Sequence, residues 1–421
     1  MKANRPLAEV TLCISRGISP KYSNQGLTVL NQRCVRDHRI DYGLTRKTDE
    51  QETRIPFNKY IKKWDVLVNS TGVGTLGRVA QVLVNTEAIT VDSHLSIVRP
   101  NLDLLCGRYF GYAIIDRESF IESLGAGATG QTELSRDRLA EVEIRFHDLP
   151  TQRKISFILS AYDDLIENNL RRIKILEEMA QLLYKEWFIK FRFPGYEKVR
   201  MVDSPMGRIP EGWEVSTIGQ ACLSLIDGDW IETKDQGGED YRLLQVSNVG
   251  VGRFIETGNF RYITRATFER LHCTEVLPGQ IMISRMPKPT GRAWLVTEMP
   301  WKMITSVDVA ILTPDEAVLD PFLFLNILNS SEQFDIVAQQ STGTTRERIT
   351  RSVLSRLPVI VPPQELQKTF SAVAEPSYQH ISLLTRKNDL LRQTRDLLIP
   401  KLISGELDVS DLDIKVREEP A

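Results

Sequence analysis

Hydrophobic positions along the chain fall into two alternating patterns. In the first, short apolar or alternating runs are punctuated by Gly, Pro and Asn: Val66-Leu-Val, Val79-Ala-Gln-Val-Leu-Val84, Leu243-Leu-Gln-Val246 and Ile281-Met-Ile283. Runs of this length, rich in branched residues, predict strands. In the second, a long stretch carries neither Gly nor Pro, from Gln152 to about Ile189. Its Leu159, Tyr162, Ile166, Asn169, Ile173, Leu176, Ala180, Leu183 and Trp187 are spaced three and four apart throughout. This predicts a helix with a coiled-coil seam of about four heptads, although the same stripe would serve an ordinary bundle core. A second helix is expected from about Pro363, with Ile381, Leu384, Asn388, Leu391, Arg395, Leu398 and Leu402 in its seam. Pro376 is expected to interrupt or kink it, and Gly405 to cap its end.

The two patterns occur twice, in the same order. Asp65-Val-Leu-Val-Asn-Ser70 matches Gln280-Ile-Met-Ile-Ser-Arg285, 215 residues on. Ile97-Val-Arg-Pro100 matches Ile311-Leu-Thr-Pro314, and Thr129-Gly130 matches Thr342-Gly343. Leu139 to Phe146 matches Leu354 to Val361, Gln152-Arg-Lys-Ile155 matches Gln367-Lys-Thr-Phe370, and Leu182-Leu-Tyr-Lys185 matches Leu398-Ile-Pro-Lys401. Each match is weak alone. Their common order and nearly constant offset imply a duplicated unit. The expected fold class is α+β with an internal pseudo-twofold repeat. A mixed α/β domain over 1–150 precedes a helical region over 151–192 and a linker over 193–214, marked by Pro194-Gly195, Ser204-Pro205 and Pro210. A second mixed domain over 215–362, a second helical region over 363–407 and an acidic tail over 408–421 complete the chain.

Composition narrows the function little. The 421 residues are 42% hydrophobic and 26% charged with a net charge of -2, ordinary for a soluble globular protein. The average hides local charge, because residues 1–63 hold 13 Lys/Arg against 6 Asp/Glu. The five cysteines and five histidines are dispersed and show neither metal-ligand nor disulfide-framework spacing, so no metal is expected. The start of the chain lacks the apolar run of a signal peptide, and no apolar stretch approaches the ~20 residues that span a bilayer. A cytoplasmic protein without membrane contact is expected.

No catalytic constellation is present, and no catalytic residue is expected. Gly72-Val-Gly-Thr-Leu-Gly77 fits the G-x-G-x-x-G pattern, but a dinucleotide site needs a helix directly after it. Arg78-Val-Ala-Gln-Val-Leu-Val84 follows instead and reads as a strand, so the glycines are expected in a loop. What recurs in both copies are polar loops. The first copy offers Arg16, Lys21 and Tyr22, then Asn69, Ser70, Thr71 and Arg78, then Thr129, Gln131 and Thr132. The second offers Arg285, Lys288 and Arg292, then Thr344, Thr345, Arg346 and Arg348. These residue types contact phosphates and base edges, and they equally furnish solvated hairpin turns.

Several phrases resemble the specificity subunit of type I restriction–modification systems, over essentially the full length. Ile209-Pro-Glu-Gly-Trp213 followed by Ile218-Gly219 resembles that family's usual opening of a recognition domain. Pro362-Pro-Gln-Glu-Leu-Gln367 resembles the start of its conserved helix, and Leu398-Ile-Pro-Lys-Leu-Ile-Ser-Gly-Glu-Leu407 its closing phrase. Asp65 to Ala80 is typical of one group of its recognition domains. The first copy departs from the pattern: it lacks the Pro-Glu-Gly-Trp phrase, and Leu149-Pro150-Thr-Gln152 replaces the double proline.

The resemblance implies two target-recognition domains separated by two long antiparallel helices. Each domain would read one half of a split target in duplex DNA. The helices would set the spacing and dock two methylation subunits, which use S-adenosylmethionine to methylate adenine. A separate restriction subunit would translocate and cut DNA with ATP and Mg. This chain would bind no cofactor itself and perform no chemistry. Two other readings remain distinct: an enzyme holding a nucleotide at Gly72–Gly77, and a coiled-coil scaffold with two protein-binding domains. Within the helices, Asn169 and Asn388 are expected to face each other and fix the register, although an asparagine at a seam's edge is equally satisfied by water.

Overall fold

The structure is a computed structural model that describes residues 3–50, 52–72, 74–86, 88–125, 133–286, 289–343 and 347–414. It divides into two units, residues 1–165 with 391–421, and residues 166–390.

The first unit is built around four antiparallel strands: β1 (Thr11–Arg16), β2 (Val66–Asn69), β3 (Val79–Gln81) and β4 (Leu95–Pro100), in the spatial order β1-β4-β2-β3. All of β2 is buried, which explains its continuous apolar run rather than an alternation. Helix α1 (Gly107–Ile115) packs on this sheet with Tyr109, Phe110 and Ile114 in the core. A long helix, α2 (Leu149–Tyr184), begins here and brings Ile155 and Leu159 into the same core.

The second unit repeats the plan. Strands β5 (Cys222–Asp227), β6 (Ile281–Ser284), β7 (Ala293–Leu295) and β8 (Val309–Pro314) stand in the order β5-β8-β6-β7. The register repeats as well: Val98 lies opposite Val66, and Leu312 opposite Ile281. Helix α3 (Pro321–Leu328) takes the place of α1, and α4 (Gln364–Ser404) that of α2. A second, smaller sheet also recurs, with Ile89–Val91 parallel to Leu27–Leu30 and Met303–Thr305 parallel to Tyr241–Leu244.

The matched glutamines now have a reason. Gln152 is fully buried; its Oε1 accepts from the Cys106 N–H at 2.8 Å, and its Nε2 donates to the carbonyls of Leu104 (3.2 Å) and His147 (2.8 Å). Gln367 does the same with the Asp320 N–H (2.8 Å) and the carbonyls of Val318 (3.1 Å) and Pro362 (2.7 Å). One side chain therefore ties three main-chain groups from outside each long helix to its start.

In both units the long helices run antiparallel. In the first, Arg395 on α4 pairs with Asp163 on α2 at 2.6 Å, and the His147 ring meets the Ile403 carbonyl at 2.8 Å. In the second, Asn169 Nδ2 donates to Asn388 Oδ1 at 2.8 Å in a buried setting, and Phe188 meets Phe370 edge to face.

Two expectations need correction. Helix α4 runs unbroken through Pro376 and Pro400. Each proline removes one N–H bond to the carbonyl four residues earlier, here on Ala372 and Asp396. All four residues are exposed, so those carbonyls stay on the solvent side, while buried Phe370, Tyr378, Ile399 and Leu402 hold the inner face. The expected linker is also ordered. Met201–Ser204 and Gly207–Pro210 form a hairpin, with Gly207 at φ 93 in its turn. Trp213 then packs among Phe188, Phe191 and Phe193. The helix end matches expectation, with Gly405 at φ 78 directly after Ser404.

Candidate nucleic-acid interface

At one end of each four-stranded sheet the loops converge on a common main-chain frame. In the first unit β1 ends at Arg16, and the following Gly17 N–H bonds the Leu95 carbonyl at 3.0 Å. A Cβ on Gly17 would stand 2.1 Å from the Asp92 carbonyl oxygen, so no other residue fits. The Ser70 N–H bonds the His94 carbonyl, and the Ser70 carbonyl accepts from the Leu134 N–H, each at 2.9 Å. In the second unit Gly228 N–H bonds the Val309 carbonyl at 2.9 Å, and its Cβ would stand 2.4 Å from the Ser306 carbonyl oxygen. The Arg285 N–H bonds the Asp308 carbonyl at 2.9 Å, and the Arg285 carbonyl accepts from the Ile349 N–H at 3.2 Å.

The frame brings together most of the described candidates, with different roles. In the first unit Arg16 bonds the carbonyls of Ser93 and Leu134 and pairs with Glu133 at 3.0 Å. Lys21 is exposed, 3.5 Å from Glu52. Tyr22 donates to Asp92 at 3.1 Å under the Arg46 guanidinium, and partial burial beside that carboxylate pushes its hydroxyl up to about 12. Thr71 bonds the exposed His94 ring at 2.7 Å. Arg78 is half-buried and donates to the Gly74 carbonyl at 2.9 Å, in the glycine loop that leads into β3 as expected. Asn69 and Ser70 are fully buried, with Asn69 Nδ2 on the Gln32 carbonyl and Ser70 against Ser96. Those two build the loop's scaffold, not its surface.

In the second unit Arg285 is buried against Asp227 at 2.9 Å, and burial lowers its pKa. Arg292 donates to the carbonyls of Val249, Pro289 and Val246, which makes it a loop clamp. Arg348 is half-buried and pairs with Asp308 at 3.1 Å. Thr129, Gln131, Thr132, Lys288, Thr344, Thr345 and Arg346 lie outside the described residues. Sequence reasoning missed Glu133, His94, Asp227 and Asp308. The 215-residue offset, applied to Arg348, points to Glu133.

Among the described residues no cluster of His, Cys, Asp or Glu could hold a metal, and no helix is long and apolar enough to cross a membrane. All five cysteines are free.

Residues 44–178 match the type I restriction modification DNA specificity domain. Together with the relatives below, this match supports a type I restriction–modification specificity subunit. Its role as a specificity subunit is DNA recognition, which is not catalytic. It is 27% identical to the type I restriction enzyme MjaIX specificity subunit of Methanocaldococcus jannaschii, over 72% of this chain and 69% of that one. It is 20% identical to the HindI specificity subunit of Haemophilus influenzae, over 83% of this chain and 88% of the relative. Among solved structures, the type I restriction-modification S subunit from M. genitalium shares the fold of this specificity subunit, with a TM-score of 0.53 and 16% identity over 95% of this chain and 96% of that one.

Proposed function

We propose that this subunit reads a bipartite duplex DNA target, one half with each strand-end frame, and directs adenine methylation and restriction by partner subunits. The observation that carries this reading is the same sheet, in the same order and register, built twice on one chain. The contacts fall to the solvent-reaching members of each frame, exposed Lys21 and Tyr22 with half-buried Thr71 and Arg78 in the first and half-buried Arg348 in the second, together with the loop residues Thr129, Gln131, Thr132, Lys288, Thr344, Thr345 and Arg346. The partners are two methylation subunits and a restriction subunit, which supply S-adenosylmethionine, ATP and Mg chemistry in the cytoplasm. Exposed apolar residues support helix docking: in the second unit, Leu383 and Leu390 stand seven residues apart on α4.

Methylome sequencing of a host carrying the complex tests the reading. A methylated motif of two specific parts separated by a fixed unspecified spacer is expected. A single uninterrupted motif, or none, contradicts it. Binding to that target is expected to fall steeply with salt, because phosphate contacts release counterions.

A further inference from the structure

The two frames match in their main-chain bonds, so their side chains can be compared position by position. Glu133 and Arg348 are equivalent: each precedes the residue whose N–H bonds the carbonyl of Ser70 or Arg285. Both side chains reach solvent, with 68% of the Glu133 side chain and 41% of the Arg348 side chain open. One is a carboxylate and the other a guanidinium. The inversion extends to their surroundings. At the end of the first strand, Arg16 in one unit stands where Asp227 stands in the other. Arg16 pairs with Glu133, whereas Asp227 pairs with Arg285 and leaves Arg348 to Asp308.

We infer that Glu133 and Arg348 are specificity-determining residues of opposite hydrogen-bonding polarity. Glu133 reads a base that presents an amine donor, and Arg348 reads a base that presents acceptors. The inference rests on the DNA-reading function proposed above. An exposed carboxylate gains nothing from the phosphate backbone, which repels it. Its favourable contact in such an interface is with an exocyclic amine, as on cytosine N4, whereas a guanidinium matches guanine O6 and N7. Arg16 engages Oε1 of Glu133 and is itself fixed by the carbonyls of Ser93 and Leu134. The carboxylate is therefore held in place while it still presents an acceptor to solvent.

The test uses the complete modification complex carrying E133Q or R348Q. Relative methylation rates are measured across a library in which the target is varied one base pair at a time. E133Q is expected to change base preference about tenfold at one position of the half read by the first domain, and to leave the other half unchanged. R348Q is expected to do the converse. An unchanged ranking of targets, or a rate lowered equally on all of them, overturns the inference, because Glu133 would then only position Arg16. If either exchange abolishes methylation, the ranking is read from competitive binding of the same library by the complex. A wild-type complex with no split motif would overturn the underlying function instead, so the two failures are distinguishable.

Discussion

The first recognition domain joins β2 to β4 with charge, and the second joins β6 to β8 without it. Asp65 is fully buried and accepts two bonds from Arg99, at 2.8 and 2.7 Å. At the equivalent place Gln280 donates to Thr313 at 3.1 Å. Burial pushes the Asp65 carboxyl up despite the guanidinium beside it, so desolvation outweighs what the pair returns to the acid. The contacts from domain to long helix differ in the same way. Tyr112 donates to Asp163 in the first unit, whereas in the second the tyrosine is on the long helix, with Tyr378 donating to Asn326 at 3.1 Å. The Gln152 and Gln367 clamps, by contrast, are the same bond for bond. Bonds to main-chain groups recur in both copies, as Asp65 accepts from the Lys62 N–H at 2.7 Å and Gln280 from the Leu277 N–H at 2.8 Å, whereas the bond between the two side chains is exchanged for another.

This contrast predicts a graded set of outcomes. Gln152→Leu and Gln367→Leu each strand three main-chain groups, one buried and two part-buried, at up to about 1–3 kcal/mol per group. Both are expected to lower stability by similar amounts in chemical denaturation. Markedly unequal losses would break the claimed equivalence. Asp65→Ala takes the carboxylate from the half-buried Arg99, which keeps its bond to the Tyr60 carbonyl, and is expected to cost up to about 3–5 kcal/mol. The double exchange Asp65→Gln with Arg99→Thr copies the second domain and is expected to recover most of that loss. No recovery would mean that the ion pair does something the neutral pair cannot. The smallest effect concerns the buried amides. Asn169→Leu with Asn388→Leu removes a polar pair from an apolar seam and is expected to raise the melting temperature by a few degrees while loosening helix register. Greater tolerance for altered spacer length in the methylated target would report the looser register. A lower melting temperature would show that the pair stabilises the seam.

Much of the architecture was legible because it is periodic. The 215-residue offset located both sheets, both long helices and the two clamping glutamines. Seam spacing placed Asn169 and Asn388 in their stripes but left open whether they face each other or meet water at an edge. Depth was not legible. Asn69 and Ser70 resemble exposed loop residues in sequence, but their partners are Gln32 and Ser96, which no local pattern connects to them. Pro376 signalled a break because sequence does not show that the carbonyl it strands lies on the solvent side. Glu133 escaped notice because a search for cationic and amide contacts passes over a carboxylate, and only the equivalence to Arg348 marks its place.

Each domain is proposed to read its half of the target independently. Replacing residues 1–150 with the equivalent region of a related subunit, then sequencing the methylome of a host carrying the complex, tests it most directly. The account predicts a new sequence in one half of the methylated motif, with the other half and the spacer unchanged. A change in both halves, or in neither, would contradict it.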